Sequence, residues 1–546
     1  MSTAEITARV VRLFQRHAAG LALAFTLVGT LRIEATYTVF NPTADEPDHL
    51  ACGMELLVSH QYKYETQHPP LTRIFIALGP YLAGATRYGY RDRYDEGVAI
   101  YYLTGHYNRY TVLSRVGNLP FFWLGCWITF LWGRRLLGKA GAAAAVLIFT
   151  MIPTLLAHAA LATTDMGATA CLAAAFYAWL RWIEEPNART GAWMGLSLAL
   201  AILAKLSSLV FYPAGLLLLL GLWLSTPLPG LRSAGLAARR RLGSAAVAGA
   251  VLFLAIWAGY FFSVGHVQGL PFNVPFPELF DGVRAVAQHN AEGHASYLLG
   301  EVKNTGWWYF FPLLLLVKLP IAVLVLLAAG LFSVILRRGR GRISRAAQGW
   351  PLWIALALPG SILAVAIPSR INLGTRHIMP MFPFLAVIAA AGLIALLQWR
   401  RSAPWLRWAA ASMVAYLCIS SMAAHPDYLA YFNAFAGSRP ERIVVDSELD
   451  WGQDVKRLAK RLNELNANTV AFTAPYRSEP AEMGMPRMTQ SDYRKPAPGW
   501  NAVAVSEWKL YRMGLRFSKP GEHTWPDFYT PKERVGKTIL LYYFPP

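Results

Sequence analysis

Apolar runs of about 20 residues, the length that crosses the hydrocarbon core of a bilayer, recur along most of the chain. The pattern predicts about eleven membrane spans, near residues 18–38, 113–133, 141–161, 166–183, 190–204, 208–225, 245–264, 307–336, 350–368, 378–398 and 405–424. The fifth and sixth runs are nearly continuous, interrupted at Ala204-Lys205-Leu206-Ser207-Ser208. Pro320 falls inside the eighth, where neighbouring helices can satisfy the backbone groups that a kink frees. No small-residue cleavage site precedes the acidic stretch after the first run, so that run reads as a retained span.

Three long polar segments separate or follow these runs: 39–112, 265–306 and 425–546. In the last, strand-like runs at 443–445, 469–473, 502–505 and 538–544 alternate with a helix near 453–465. Val455, Leu458, Ala459, Leu462 and Leu465 share one face of that helix, and basic residues take the other. The expected architecture is therefore an α-helical polytopic membrane protein over 1–424 with a small soluble α/β domain over 425–546. Within the first polar segment, His68-Pro69-Pro70 makes a stiff turn before an amphipathic stretch, 71–82, that suits the membrane surface.

Composition supports this reading: 55% of residues are hydrophobic, 15% are charged, and the mean hydropathy is +0.33. The formal charge of +20 would suggest a nucleic-acid partner only if the basic residues formed one soluble patch. They fall instead in short clusters between apolar runs. Arg9, Arg12 and Arg16, then Arg134, Arg135 and Lys139, then Arg232 and the arginines at 239–241 occupy alternate loops. Arg337, Arg338, Arg340, Arg342 and Arg345, then Arg400, Arg401 and Arg407 continue the alternation. Positive charge marks the cytoplasmic face, so the N-terminus is expected inside, and the C-terminus and the three long polar segments outside. The four cysteines are scattered without CxxC or Cys/His pairing, which argues against a disulfide framework or a zinc–thiolate site. Walker A, GxGxxG, GxSxG and HExxH patterns are absent, and with them support for ATP hydrolysis or serine-hydrolase chemistry.

Candidate chemistry collects on the outer face. Asn41-Pro42-Thr43-Ala44-Asp45-Glu46-Pro47-Asp48-His49 sets three carboxylates and an imidazole just beyond the first span. A carboxylate near the low-dielectric boundary can be tuned into a general base, although Asp45-Glu46-Pro47 also looks like a helix entry. Asp165, in a short external turn, is costly so near hydrocarbon and is either functional or an N-cap of the following span. Cations at the outer ends of the spans are Lys205, and Arg370, Arg376 and His377 around Asn372-Leu373-Gly374. Such groups can hold a phosphate or snorkel to lipid headgroups. Trp307-Trp308-Tyr309 reads as an interfacial aromatic belt.

Several stretches, in order, resemble bacterial relatives of the dolichyl-phosphate-mannose protein mannosyltransferases, a branch of the membrane-embedded GT-C glycosyltransferases. They are Asp45-Glu46-Pro47-Asp48-His49, His68-Pro69-Pro70-Leu71, Thr163-Thr164-Asp165, and Gly300-Glu301-Val302 with Trp307-Trp308-Tyr309-Phe310-Phe311-Pro312. Asn372-Leu373-Gly374-Thr375-Arg376-His377-Ile378-Met379-Pro380 follows, then Tyr431-Phe432-Asn433 leading into Asp446-Ser447-Glu448-Leu449-Asp450-Trp451-Gly452-Gln453-Asp454. The resemblance implies a GT-C-like bundle in a bacterial inner membrane. It implies transfer of a sugar from a polyprenyl-phosphate donor to a hydroxyl on protein, lipid A or another envelope glycan, with inversion. Asp45 or Glu46 matches the family's acidic residue and Asp165 is a second acid. Lys205, Arg376 and His377 are candidates for the leaving phosphate, and His49, His68, Glu301 and Asp450 for further substrate contacts. Asp45, Glu46, His49 and His68 could also supply hard ligands to a divalent metal. No insert is long enough for the β-trefoil domain of the eukaryotic enzymes.

Two other classes compete with this reading. A transporter or flippase of a lipid-linked or small anionic substrate suits the span count and Lys205, but no internal repeat is evident. A scaffold that docks partners through 425–546 is the third.

Overall fold

The computed structural model describes residues 3–225, 234–339, 352–398, 404–476, 478–518 and 523–546. Arg232, Arg340, Arg342, Arg345, Arg400 and Arg401, part of the charge alternation, lie outside the described residues. Helices follow most of the apolar runs: Ala18–Glu34, Asp165–Glu184, Ala188–Ala204, Ser208–Ser225, Ala234–Gly259, Ile354–Ala366, Phe382–Gln398 and Pro404–Ala423. Among the described residues, three helical stretches are long and apolar enough to cross a membrane: Arg241–Gly259, Met379–Gln398 and Trp405–Ala423. Two bent pairs raise this to five if each is one span, and shorter apolar helices pack among them.

The break expected between the second and third runs is present: two helices within Leu119–Thr150 meet at Gly138, whose backbone (φ 78°, ψ −173°) is open to a residue without Cβ. The chain doubles back there: a Cβ on Gly133 would meet Ala142 and one on Gly125 would meet Phe149. Residues 153–160 then turn away by 66°. Two expected boundaries are corrected. The eighth run is not one kinked helix: Phe310–Lys318 and Ile321–Ile335 diverge by 114°. Pro320 forces this, because Leu319 ahead of it must be extended (φ −79°, ψ 139°). The freed carbonyls of Leu316 and Leu319 accept hydrogen bonds from the Asn433 side chain at 2.6 and 2.7 Å.

The second correction is the strand expected at 443–445. Pro440–Arg442 forms a 3-10 turn, and Val444 and Val445 after it are buried without joining a ladder. The remaining expected strands do form a sheet. Its order by residue is 487–489, 469–471, 499–504, 539–544, 533–535, parallel across the first three strands and antiparallel thereafter. The helix Val455–Glu464 lays Val455, Leu458 and Leu462 on Val470, Phe472, Ala502 and Leu541, as its apolar face requires. The fold is thus a helical bundle with a small C-terminal sheet unit.

The first polar segment is itself helical: Glu46–Ser59, Pro70–Leu82, Arg93–Tyr102 and Tyr107–Val116. The helix Pro70–Leu82 covers the predicted amphipathic stretch and buries Thr72, Arg73, Ile76 and Ala77 against its neighbours. Glu46–Ser59 packs on Pro70–Leu82 and Arg93–Tyr102, and Pro70–Leu82 packs on Tyr107–Val116.

Candidate active site

Asp45 and Glu46 are adjacent in sequence but differ in environment. Glu46 opens the helix Glu46–Ser59 with no solvent exposure. Its two oxygens take both arms of the Arg115 guanidinium at 2.9 Å and accept from the Thr43 and Ala162 amides at 2.7 and 2.9 Å. Arg115 also donates to the carbonyls of Tyr37, Phe40 and Asn41. The Glu46 carboxylate is thus engaged on all sides and ties these segments together. Asp45 occupies the N-cap position but caps nothing. Its carboxylate, 24% exposed, pairs with Arg376 at 2.7 Å.

Asp48 and His49 turn inward from the same helix toward Arg73, which is fully buried. Arg73 donates to Asp48 at 2.9 Å, to the Glu65 carboxylate, to the Tyr62 hydroxyl at 2.9 Å and to Nδ1 of His49 at 3.1 Å. The last bond makes Nδ1 an acceptor, so His49 carries its proton on Nε2. Burial and then the Arg73 charge hold its pKa well below the ordinary imidazole value, leaving it neutral. Burial alone would raise Glu65, but Arg73 and His68 override it and keep that group ionised. His68 rests 3.0 Å from Glu65 and 5.2 Å, ring to ring, from His49.

A second cluster lies alongside. Lys205, where the apolar run breaks, reaches Asp165 at 2.6 Å, and His158 stands 3.7 Å from the other oxygen of that carboxylate. Arg376 faces both acids: burial lowers its pKa, but Asp45 and Asp165 together raise it above the usual guanidinium value. Burial depresses His377, and Lys205 and Arg376 depress it further, keeping it neutral. The indole of Trp451 lies under the Arg376 guanidinium at 4.4 Å. Residues from five separated segments thus meet: 45–49, 158–165, 205, 376–377 and 451.

Acids and cations interleave in this cluster. Each cation is paired with an acid, Arg376 with Asp45 and Lys205 with Asp165, because isolated charges at this depth would be costly. Buried atoms here without a hydrogen-bond partner among the described residues include Nε of Arg376 and Nδ1 of His158.

Two further candidates sit elsewhere. Glu301 is 61% exposed on a short hairpin strand and pairs with Lys303, away from the buried cluster. Asp450 is buried in the C-terminal unit, where it accepts from the amides of Ser506 and Gly452 at 3.0 and 3.2 Å. Burial pushes its carboxyl up to about 7 against the pull of those amides. The unfolded carboxyl ionises near about pH 4, so between there and about pH 7 the folded state binds the extra proton. Stability from this group therefore falls as pH rises through that window and is level above it. D450N should flatten the rise in thermal midpoint on going from about pH 8 to about pH 5, measured on the purified full chain.

No group of three or more His, Cys, Asp or Glu side chains is arranged to hold a metal among the described residues. The four ligands suggested by the sequence are divided: Asp45 and Glu46 are engaged by separate arginines, and His49 by a third. Sequence reasoning missed Arg73, Arg115 and His158. The histidine sits in a plain apolar run, Leu155-Leu156-Ala157-His158-Ala159-Ala160, where a lone polar residue was its only signal.

No curated protein matches the chain. Among solved structures, ArnT from Cupriavidus metallidurans bound to undecaprenyl phosphate is similar at 12% identity, over 96% of this chain and 98% of that one, with a TM-score of 0.47. The archaeal oligosaccharyltransferase AglB from Archaeoglobus fulgidus, in complex with an inhibitory peptide and a dolichol-phosphate, is similar at 12% identity. That match covers 90% of this chain and 71% of the other, with a TM-score of 0.44. Residues 115–239 match the family model described as dolichyl-phosphate-mannose-protein mannosyltransferase. This stretch holds Arg115, His158, Asp165 and Lys205, and over it the resemblance carried by the ordered motifs stands.

Proposed function

We propose that the chain is a membrane glycosyltransferase that takes a sugar from a polyprenyl-phosphate donor on the extracytoplasmic face. The acceptor is a hydroxyl on protein, lipid A or another envelope glycan, and the configuration at the anomeric carbon inverts. The observation that carries this reading is Arg376, paired with Asp45 and with its buried Nε unpartnered among the described residues. A buried donor without an acceptor costs about 1–3 kcal/mol, and an incoming phosphate oxygen would satisfy it. The family model over 115–239 adds independent support.

In the free site the acids neutralise the cations. The donor phosphate then takes hydrogen bonds from Arg376 and Lys205, and Asp45 gives up much of its pairing. An acceptor hydroxyl placed against Asp45 loses its proton to that carboxylate as its oxygen bonds to the anomeric carbon. The bond from that carbon to the phosphate oxygen breaks on the opposite side, and the electron pair leaves on a phosphate held by the two cations. Asp165 keeps Lys205 in place, with His158 against its second oxygen.

Full-length protein should therefore retain undecaprenyl phosphate, and R376Q and K205Q should each weaken binding by about tenfold or more, the worth of a charge-assisted contact. Unchanged affinity in both variants would remove the phosphate assignment.

A further inference from the structure

Residues 446–454 lead from the helical bundle into the C-terminal sheet, and they are stitched to both loops of the candidate site. Glu448 accepts from the amide and hydroxyl of Thr375 at 2.6 and 2.7 Å, and Ser447 donates to the Leu373 carbonyl. On the other side the Trp451 carbonyl accepts from the Ala44 amide at 3.2 Å, and the Gly452 carbonyl from the Asn41 side chain at 2.7 Å. From beneath, Lys318 donates to the Glu448 carbonyl at 2.7 Å. The neighbours of Asp45 and of Arg376 are thus joined through one segment of the C-terminal unit.

Gly374 shows how close this approach is. Its φ of +134° suits glycine, and a Cβ there would collide with the Glu448 carboxylate. Trp451 sits at the centre of the segment, 2% exposed, with its face 4.4 Å from the Arg376 guanidinium and its ring 6.4 Å, edge-on, from His158. An arginine over an indole is attracted by the ring's negative face, and the flat contact fixes the plane of the guanidinium.

We propose that Trp451 is a positioning residue for donor binding: it holds the Arg376 guanidinium in the plane that meets Asp45 and leaves Nε free for the donor phosphate. The C-terminal unit then completes the phosphate subsite and is not a separable docking module. This rests on the glycosyltransferase reading of the site above.

The test measures binding of undecaprenyl phosphate, without sugar, to the purified full-length protein. W451L should weaken it on the order of tenfold, and W451F, which keeps an aromatic face, should stay within about threefold of wild type. In an R376Q background the W451L change should shrink to less than about twofold, because the effect passes through the arginine. An equal loss in both backgrounds would make Trp451 merely structural and overturn the proposal, as would wild-type binding by W451L. Should W451L fail to fold, W451M against W451F gives the same comparison, and equal affinities there overturn the proposal. If the wild-type protein binds no polyprenyl phosphate, the glycosyltransferase reading falls and this proposal with it. Normal wild-type binding with an indifferent Trp451 removes the proposal alone.

Discussion

Replacing Asp45 by Asn should lower the rate of sugar transfer by about 100- to 10,000-fold, the usual worth of a positioned general base, while the protein still folds and binds donor. Asparagine keeps the size of the side chain, and its oxygen can still accept from Arg376, so the pairing geometry survives. What it loses is the capacity to take a proton from the acceptor hydroxyl. It also releases the charge that holds Arg376 in the free site, so affinity for undecaprenyl phosphate should be at least that of the wild type. A drop in rate with equal or tighter donor binding is the combination to look for. Full activity in D45N would remove the base, and a parallel loss of donor binding would mark Asp45 as a donor contact.

Its neighbour should fail differently. Replacing Glu46 by Ala leaves Arg115 buried at 1% side-chain exposure without its counter-charge. Breaking such a pair from one side costs about 3–5 kcal/mol, a large share of the stability of an ordinary domain. E46A should therefore appear as a reduced thermal midpoint and a low yield of folded protein, with activity lost only in proportion. The Glu46–Arg115 pair ties the end of the first span, the start of the first polar segment and the Ala162 turn together, and all three should loosen at once. A stable, well-folded and inactive E46A would reverse the assignment and make Glu46 the base.

These two outcomes show what could be read from the sequence. Composition and spacing placed both acids at the outer edge of the first span, yet could not separate a clamped carboxylate from a half-open one. That difference depends on Arg115, 69 residues away. The resemblance grouped Asp45, Asp165, Lys205 and Arg376, which the structure brings together. Their pairing was not legible, because Asp45 and Arg376 are 331 positions apart and no local pattern encodes the contact. Apolar runs gave most helices, since a continuous hydrophobic stretch leaves the backbone few other ways to satisfy its hydrogen bonds. They failed at Pro320, where one residue's backbone parts a single run into two helices. The run at 443–445 misled because burial alone does not make a strand: Val444 and Val445 are buried, and Val445 packs on Tyr297 without joining a ladder. Trp451 lies in the motif at 446–454, and no local pattern encodes its contact with Arg376.

The central claim is that a sugar leaves polyprenyl phosphate at the Asp45–Arg376 cluster. It is tested most directly in vesicles containing the purified protein, a polyprenyl-phosphate sugar and a mixture of envelope lipids and peptides. Production of free polyprenyl phosphate together with a glycosylated acceptor is followed for wild type and D45N. The account predicts that both products appear in equal amounts with wild type and are nearly absent with D45N. Movement of the lipid-linked sugar across the vesicle without cleavage of its sugar–phosphate bond would contradict it.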